Sequence, residues 1–308
     1  MNRRLRADAS LVLATILWGA TFVVVKDALA HASVFAFLAL RFALATALMA
    51  LIFRRALPKL DRNQIRAGAL IGALMFVGYA LQTSGLIYTS PSKAAFITGF
   101  GVVLVPIFSA LFWRRRINHW VWAGAAAALV GLYFLTVSPQ GFTQLNRGDL
   151  LVFGCAVVFA FHIIVVGRYS VRHPVGALSF LQVATTAALT ALSLPILALT
   201  RLEPIRIDWS PELLLAIAIT AVFATAIAFS VQVWAQQYTT PTHTAIIFTL
   251  EPVFAAITSY ILLSERLGTR ALSGAVLILA GILLAELKGP AQAAPDSPGP
   301  VSESPPLT

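Results

Sequence analysis

An acidic residue directly before a proline, in the middle of an apolar run, carries the most chemistry in this chain: Glu251-Pro252, within 242–263. Ionisable side chains inside a membrane are costly and mark functional positions, and a proline frees the carbonyl one turn back because it has no N–H. A carboxyl at mid-depth beside interrupted backbone suits a substrate amino group or a proton. It equally suits a neutral, hydrogen-bonded Glu that holds a kink. Pro106 interrupts the corresponding run of the first half, one turn from the position that aligns with Pro252.

Gln82 and Gln232 lie 150 residues apart, as do Tyr79 and Phe229. Each amide follows its ring at i, i+3, which sets the two on one helix face. An amide facing lipid is unfavourable, so that face turns towards a cavity or an interhelical hydrogen bond. With Phe96, Trp234, Phe248 and Glu251 these four residues form the candidate substrate-binding set. Rings would supply apolar and cation–π contacts, and amides would orient polar ends. Pro91, Pro106, Pro241 and Pro252 are the candidate helix-break or gating positions.

The other ionisable residues in or beside apolar runs have blander alternatives. Arg41 could snorkel outwards, pair with a carboxylate such as Asp27, or attract an anion. Lys93 could meet a substrate carboxylate at the outer mouth or end a solvated loop. His162 and His243, read as lying near span ends, fit structural hydrogen bonding better than a proton relay. Cys155, the only cysteine, excludes an intramolecular disulfide and a Cys-based zinc site. There is no Walker A sequence, no HExxH and no nucleophile–base pair, so neither an enzyme nor a cofactor or metal site is expected.

Positioning these groups falls to a repeat. Residues 85–117 align without a gap on 235–267, so that Tyr88, Thr89 and Pro91 match Tyr238, Thr239 and Pro241. The period is half the chain. Of 308 residues, 59% are hydrophobic and 11% charged, with mean hydropathy +0.85; a soluble surface needs roughly 25% charged residues. Apolar runs near 20 residues are long enough to cross about 30 Å of hydrocarbon. The net charge of +10 sits between those runs, which excludes a nucleic-acid partner and leaves the lipid bilayer and a small solute. MNRRLRADAS and its apolar sequel imitate a signal peptide ending at Ala30–Ala32, but the run is long for one and is read as a retained first span.

The pattern predicts an all-α membrane fold of ten helices, at 9–29, 34–53, 66–88, 92–113, 118–137, 148–167, 175–199, 211–238, 242–263 and 268–287. With the N-terminus inside, fourteen Lys and Arg fall on the inner side and seven on the outer, so both termini are expected in the cytoplasm. Five spans per half is odd, which makes the two five-helix repeats, 1–137 and 148–287, inverted. That is a recurring build for secondary transporters. Residues 288–308, rich in Pro, Ser and Ala, are expected to form a disordered cytoplasmic tail. Gly68/Gly72, Gly124/Gly131 and Gly274/Gly281 read as close-packing positions within the chain or at a dimer face, so the molecule is expected to be a monomer or homodimer.

Trp18-Gly19 with Phe22 and Lys26, Leu40-Arg41-Phe42, Gly85-Leu86-x-Tyr88-Thr89-Ser90, Leu250-Glu251-Pro252-Val253-Phe254-Ala255, Glu265-Arg266-Leu267 and Gly274-Ala275 with Gly281 together resemble the EamA-type exporters of the drug/metabolite transporter superfamily. The likeness extends through residue 287. It implies ten helices in two inverted halves, secondary transport and a central cavity. Within that superfamily the chain is similar to the amino-acid exporter branch, including aromatic amino-acid and paraquat exporters. It departs from the pattern at Phe159, at Ser264 and at the three arginines that end the first copy. The resemblance implies export of amino acids or related small metabolites across a bacterial inner membrane by alternating access. Carriers of other metabolites or drugs, and a non-transporting scaffold, remain as alternatives.

Overall fold

The computed structural model describes residues 3–55, 57–89, 91–114, 116–137, 146–201, 203–263 and 268–288. Lys288, the first residue of the expected tail 288–308, ends a helix, and the rest of that tail, with Ser90, Arg115 and Ser264 to Leu267, lies outside the described residues.

Among the described residues the chain is helical, and its only extended pairing is a single bridge between Ala32 and Ile207. In order, the helices are α1 (Arg3–His31), α2 (Val34–Ile52), α3 (Arg62–Tyr88), α4 (Pro91–Gly99), α5 (Gly101–Trp113), α6 (His119–Thr136), α7 (Arg147–Ser170), α8 (Val175–Leu199), α9 (Pro211–Ala221), α10 (Ala228–Ala235), α11 (Pro241–Phe248), α12 (Glu251–Leu263) and α13 (Thr269–Lys288). Seven helical stretches are long and apolar enough to cross a membrane, counting 93–113 and 211–235 as one each, and His119–Leu135 and Thr269–Ala285 are shorter apolar helices. Leucines such as Leu51, Leu111, Leu150, Leu192 and Leu272 stand exposed on their outer faces. Apolar surface on that scale needs lipid to cover it. This is a multi-span membrane protein.

Helix starts follow local chemistry. Asp61 accepts from the backbone N–H of Asn63 and Gln64 at 2.7 and 2.8 Å, which caps α3. Asn146 and Asp149 form a capping box on α7. Ser210 and Thr240 cap α9 and α11, each followed by a proline at the first helical position, where no donor is missed.

The two interrupted helices break at equivalent places, though not at the prolines. The first break is at Phe100, between α4 and α5, six residues before Pro106, which α5 absorbs without ending. The second is at Thr249 and Leu250, whose N–H groups turn back to Ile246 and Ile247 at 3.1 and 3.0 Å. Pro252 is the second residue of a new helix, where its missing N–H is one of the unpaired donors in any case.

Chain direction can be read from side-chain contacts. Lys26 near the end of α1 donates to the Leu86 carbonyl near the end of α3, and the Asn146 amide at the start of α7 donates to the Tyr88 carbonyl at 3.0 Å. The end of α1 and the start of α7 therefore share one end of the molecule, and the two helices run antiparallel. α6 and α13 pack with backbones in near contact: a Cβ on Gly131 would lie 2.6 Å from the Gly274 carbonyl oxygen, and one on Gly124 2.5 Å from that of Gly281. The seven-residue glycine spacings are used inside the chain. So are Gly68 and Gly72, which abut Leu181, Gln182 and Thr185 of α8.

Candidate solute-binding site

α9 and α10 belong to one helix interrupted by a π-helical segment, Val222–Ile227. Such segments shift carbonyls out of the regular ladder and recur at functional sites. Here the Ala224 carbonyl accepts from the Trp18 indole at 2.9 Å and from an Arg41 terminal nitrogen at 3.4 Å. Thr225 donates its hydroxyl to the Thr220 carbonyl at 2.8 Å and accepts from Arg41 Nε at 2.8 Å. The same Arg41 terminal nitrogen donates to the Tyr79 hydroxyl at 3.2 Å. Arg41 is buried, with its guanidinium carbon 4.7 Å from the centre of the Tyr79 ring and 5.4 Å from that of Phe42. Neither snorkelling nor a pair with Asp27 describes it. The hydrogen bonds and rings hold it where it is.

Arg41 lines a cavity of about 110 Å³ at the centre of the helices. One water needs roughly 10–15 Å³ counted this way, so the space holds several waters or a small solute and is no packing defect. Tyr79, Gln82, Phe229, Gln232, Phe248, Glu251 and Pro252, seven of the residues singled out by sequence, line this one space. Trp18, Phe229 and Phe248 make its aromatic corner, with the Trp18 ring centre 5.1 Å from Phe229 and 5.0 Å from Phe248. Tyr79 stands edge-on to Phe159 at 5.5 Å.

Both helix breaks open onto this space: Gly99 and Gly101 line it from one side, Thr249, Glu251 and Pro252 from the other. Glu251 is half-buried and its carboxyl has no hydrogen-bond partner among the described residues. It is held close to α1, since a Cβ on Gly19 would come within 2.5 Å of the Glu251 carbonyl oxygen. Only a glycine on α1 allows the start of α12 to approach that far.

The two glutamines differ. Gln82 is half-buried and makes no hydrogen bond among the described residues. Gln232 is buried, donates to Gln236 Oε1 at 3.1 Å, and Gln236 donates to the Ile163 carbonyl at 2.9 Å. It is thus both a lining residue and part of a link to α7.

Two sequence candidates stand elsewhere. Phe96 turns towards α6, edge-on to Phe100 at 5.2 Å and Tyr133 at 6.1 Å; its neighbour Ala95 has the cavity-facing position instead. Trp234 packs on Tyr238 at 5.4 Å, because a residue two places after Gln232 points about 200° away around the helix. Pro91 and Pro241 open α4 and α11, and Pro241 does not line the cavity. Lys93 is no solvated loop end: it pairs with Asp149 at 2.5 Å. His162 lies mid-helix, not near a span end, and lines the cavity with Nε2 3.2 Å from Gln182 Oε1. Sequence reading also missed Trp18, Phe159 and Thr225 as parts of the site. The first two occupy equivalent places 141 residues apart.

The description "EamA-like transporter family" matches residues 5–137 and again 146–287. The chain belongs to that family. An uncharacterized transporter of Archaeoglobus fulgidus is 37% identical to it over 93% of this chain and 87% of the relative. An uncharacterized transporter of Bacillus subtilis, YyaM, is 28% identical over 88% of this chain and 90% of its own length. A solved crystal structure superposes with TM-score 0.76 over 92% of this chain and 97% of its own at 20% identity, a likeness of fold alone. This EamA-like protein is accordingly a membrane transporter by family, and the named relatives are transporters as well.

The start of the second match lies 141 residues after the first, and the aligned repeat within them is offset by 150. By those offsets the cavity wall is made of counterparts: Trp18 with Phe159, Thr21 with His162, Tyr79 with Phe229, Gln82 with Gln232, Ala95 with Ala245, Thr98 with Phe248 and Gly101 with Glu251.

Proposed function

We propose that this EamA-like protein exports amino acids, aromatic ones among them, or closely related amphipathic metabolites across a bacterial inner membrane by alternating access. The observation that carries the reading is the meeting of three chemistries in one cavity: the Arg41 guanidinium, the Glu251 carboxyl and a frame of aromatic rings. A zwitterion with an apolar body needs a donor fork for its carboxylate, an acceptor for its ammonium and rings for the remainder. Arg41 would take the carboxylate, Glu251 the ammonium, and Gln82, with its unused amide, the polar edge of the solute. Tyr79, Phe229 and Phe248 would hold the apolar body, while Gln232 would order that wall through Gln236.

The reading includes ten spans arranged as inverted five-helix halves, 1–137 and 148–287, with both termini and the tail 288–308 in the cytoplasm. The antiparallel course of α1 and α7 supports it. So do the two interrupted helices that end at the cavity, a placement typical of transporter sites. The protein works as a monomer or homodimer and needs no cofactor.

Counterflow in proteoliposomes with a panel of radiolabelled amino acids, Glu251→Gln beside wild type, tests it. Saturable uptake of one chemical subset, and a loss of at least about tenfold in the variant, is expected from removing a charge-assisted bond. Folded, inserted protein that exchanges no amino acid would sink the substrate assignment.

A further inference from the structure

One residue separates the two halves where the cavity turns cationic. The capping residues Asp61 of α3 and Ser210 of α9 are 149 residues apart, whereas the cavity-lining rings that follow them, Tyr79 and Phe229, are 150 apart. The second helix therefore holds one residue more between its cap and the cavity. α3 runs unbroken from Arg62 to Tyr88. In the other helix the extra residue is taken up by the π segment Val222–Ile227, where the Thr225 hydroxyl reaches back five residues to the Thr220 carbonyl at 2.8 Å.

What faces each helix differs as well. Arg41 of α2 and Gln182 of α8 are 141 residues apart, the offset that relates Trp18 to Phe159. At Gln182 the regular α3 packs backbone to backbone, since a Cβ on Gly72 would lie 2.5 Å from the Gln182 carbonyl oxygen. At Arg41 the π segment instead supplies two acceptors, Thr225 Oγ1 for Nε at 2.8 Å and the Ala224 carbonyl for Nη2 at 3.4 Å. Nη2 also donates to the Tyr79 hydroxyl at 3.2 Å. Nη1 has no partner among the described residues. It is not a sealed-off nitrogen either, so its two donors open on the cavity that Arg41 lines. A guanidinium held along one edge offers its remaining donors to an anion.

We infer that Thr225 is a positioning residue for the Arg41 fork, brought to it by the one-residue insertion, and that it thereby sets the cavity's preference for a solute bearing a carboxylate. Held at Nε, the side chain presents Nη1 in one place. Without the hydroxyl it has more freedom to lose when an anion binds. The inference rests on the proposed role of Arg41 as partner of the solute's carboxylate, but not on that solute being an amino acid.

The test uses the full chain in detergent, labelled with fluorotryptophan and titrated with benzoate and with benzamide, its neutral isostere. The fluorine signal of Trp18 is followed, identified as the one missing from Trp18→Phe. Trp18 lines the cavity, and its indole shares the Ala224 carbonyl with Arg41. Wild type is expected to bind benzoate about tenfold more tightly than benzamide, the worth of one charge-assisted bond. Thr225→Val is expected to bring the two affinities together by weakening benzoate alone, and Thr225→Ser to keep them apart. Deleting Phe223, an exposed residue of the π segment, restores the length of α3 and is expected to act as Thr225→Val does. A merely structural role would move both probes alike. No preference in wild type, a preference that survives in folded Thr225→Val or in the folded deletion, or one lost equally in Thr225→Ser, overturns the inference. The expected pattern beside counterflow that exchanges no amino acid would sink the substrate assignment and leave Thr225 in its role. Amino-acid exchange without that pattern would do the reverse.

Discussion

The α6–α13 contact and the cavity wall are both built from positions 150 residues apart, and they use that correspondence in opposite ways. In the contact, equivalent residues are alike: Gly124 and Gly274 are counterparts, as are Gly131 and Gly281, and each glycine of one helix meets a glycine of the other. In the wall, Gln82 and Gln232 or Ala95 and Ala245 are alike, but other equivalents differ: Gly101 faces the space where Glu251 does on the other side, Thr98 where Phe248 does, and Tyr79 carries a hydroxyl that Phe229 lacks. Backbone against backbone leaves room for hydrogen alone on both partners, so the two sides must match. A space that takes one unsymmetrical solute requires different groups on its walls. The repeat supplies the frame, and the departures from it supply the chemistry.

The contact should break first. Gly131→Leu would drive a side chain into the Gly274 carbonyl and the Ile278 backbone nitrogen, neither of which can move aside. A cost of about 3 kcal/mol is expected, at the upper end for overpacking, read as loss of the thermal transition or of a monodisperse peak in detergent. Gly101→Ala is the control from the wall. A Cβ there meets nothing within 4 Å, so its midpoint should stay within the roughly 0.5 kcal/mol of a neutral change. Equal damage from both would show that the wall is packed as tightly as the contact.

Arg41 sharpens the comparison, because it is the cation of one wall and its place is set by the π segment of the other. Arg41→Lys keeps a charge but loses the fork that bonds Thr225, Tyr79 and Ala224 together. If the fork recognises a carboxylate, wild type should favour an amino acid over the matching amine by about tenfold in apparent affinity, and the variant should lose that preference. A preference that survives while stability falls would reduce Arg41 to a structural group.

How far the sequence anticipated this site depends on the kind of interaction. Tyr79, Gln82, Phe229 and Gln232 were legible, because helical spacing and the repeat register are local properties and the structure sets all four on the cavity. Phe96 and Trp234 are aromatic but turned away from the cavity by their rotation about their own helices, with Ala95 and Gln232 facing it instead. The π segment left no trace, since one residue of extra winding changes no hydropathy. Partners far apart in the chain were equally illegible: Lys93 and Asp149 are 56 residues apart, and nothing local in the sequence marks them as a pair. Breaks were expected at prolines, whereas backbone geometry put them at Phe100 and at Thr249–Leu250. The helical, membrane-spanning character was plain from hydropathy and charge alone.

The smallest expected effect separates the paired glutamines, which sequence could not tell apart. Gln232→Leu removes the donor to Gln236 Oε1 and leaves a buried acceptor unpaired on the link to Ile163, which should lower stability by about 1 kcal/mol or more. Gln82→Leu removes no hydrogen bond among the described residues, so stability should hold. Its amide is free to meet the solute, and replacing it should weaken apparent affinity by roughly threefold to tenfold, the worth of one neutral hydrogen bond. Thermal midpoints beside counterflow affinities for both variants decide the matter. If Gln82→Leu lost stability and kept affinity, its amide would be a packing group like its counterpart, and the asymmetry of the wall would rest on Arg41 and Glu251 alone.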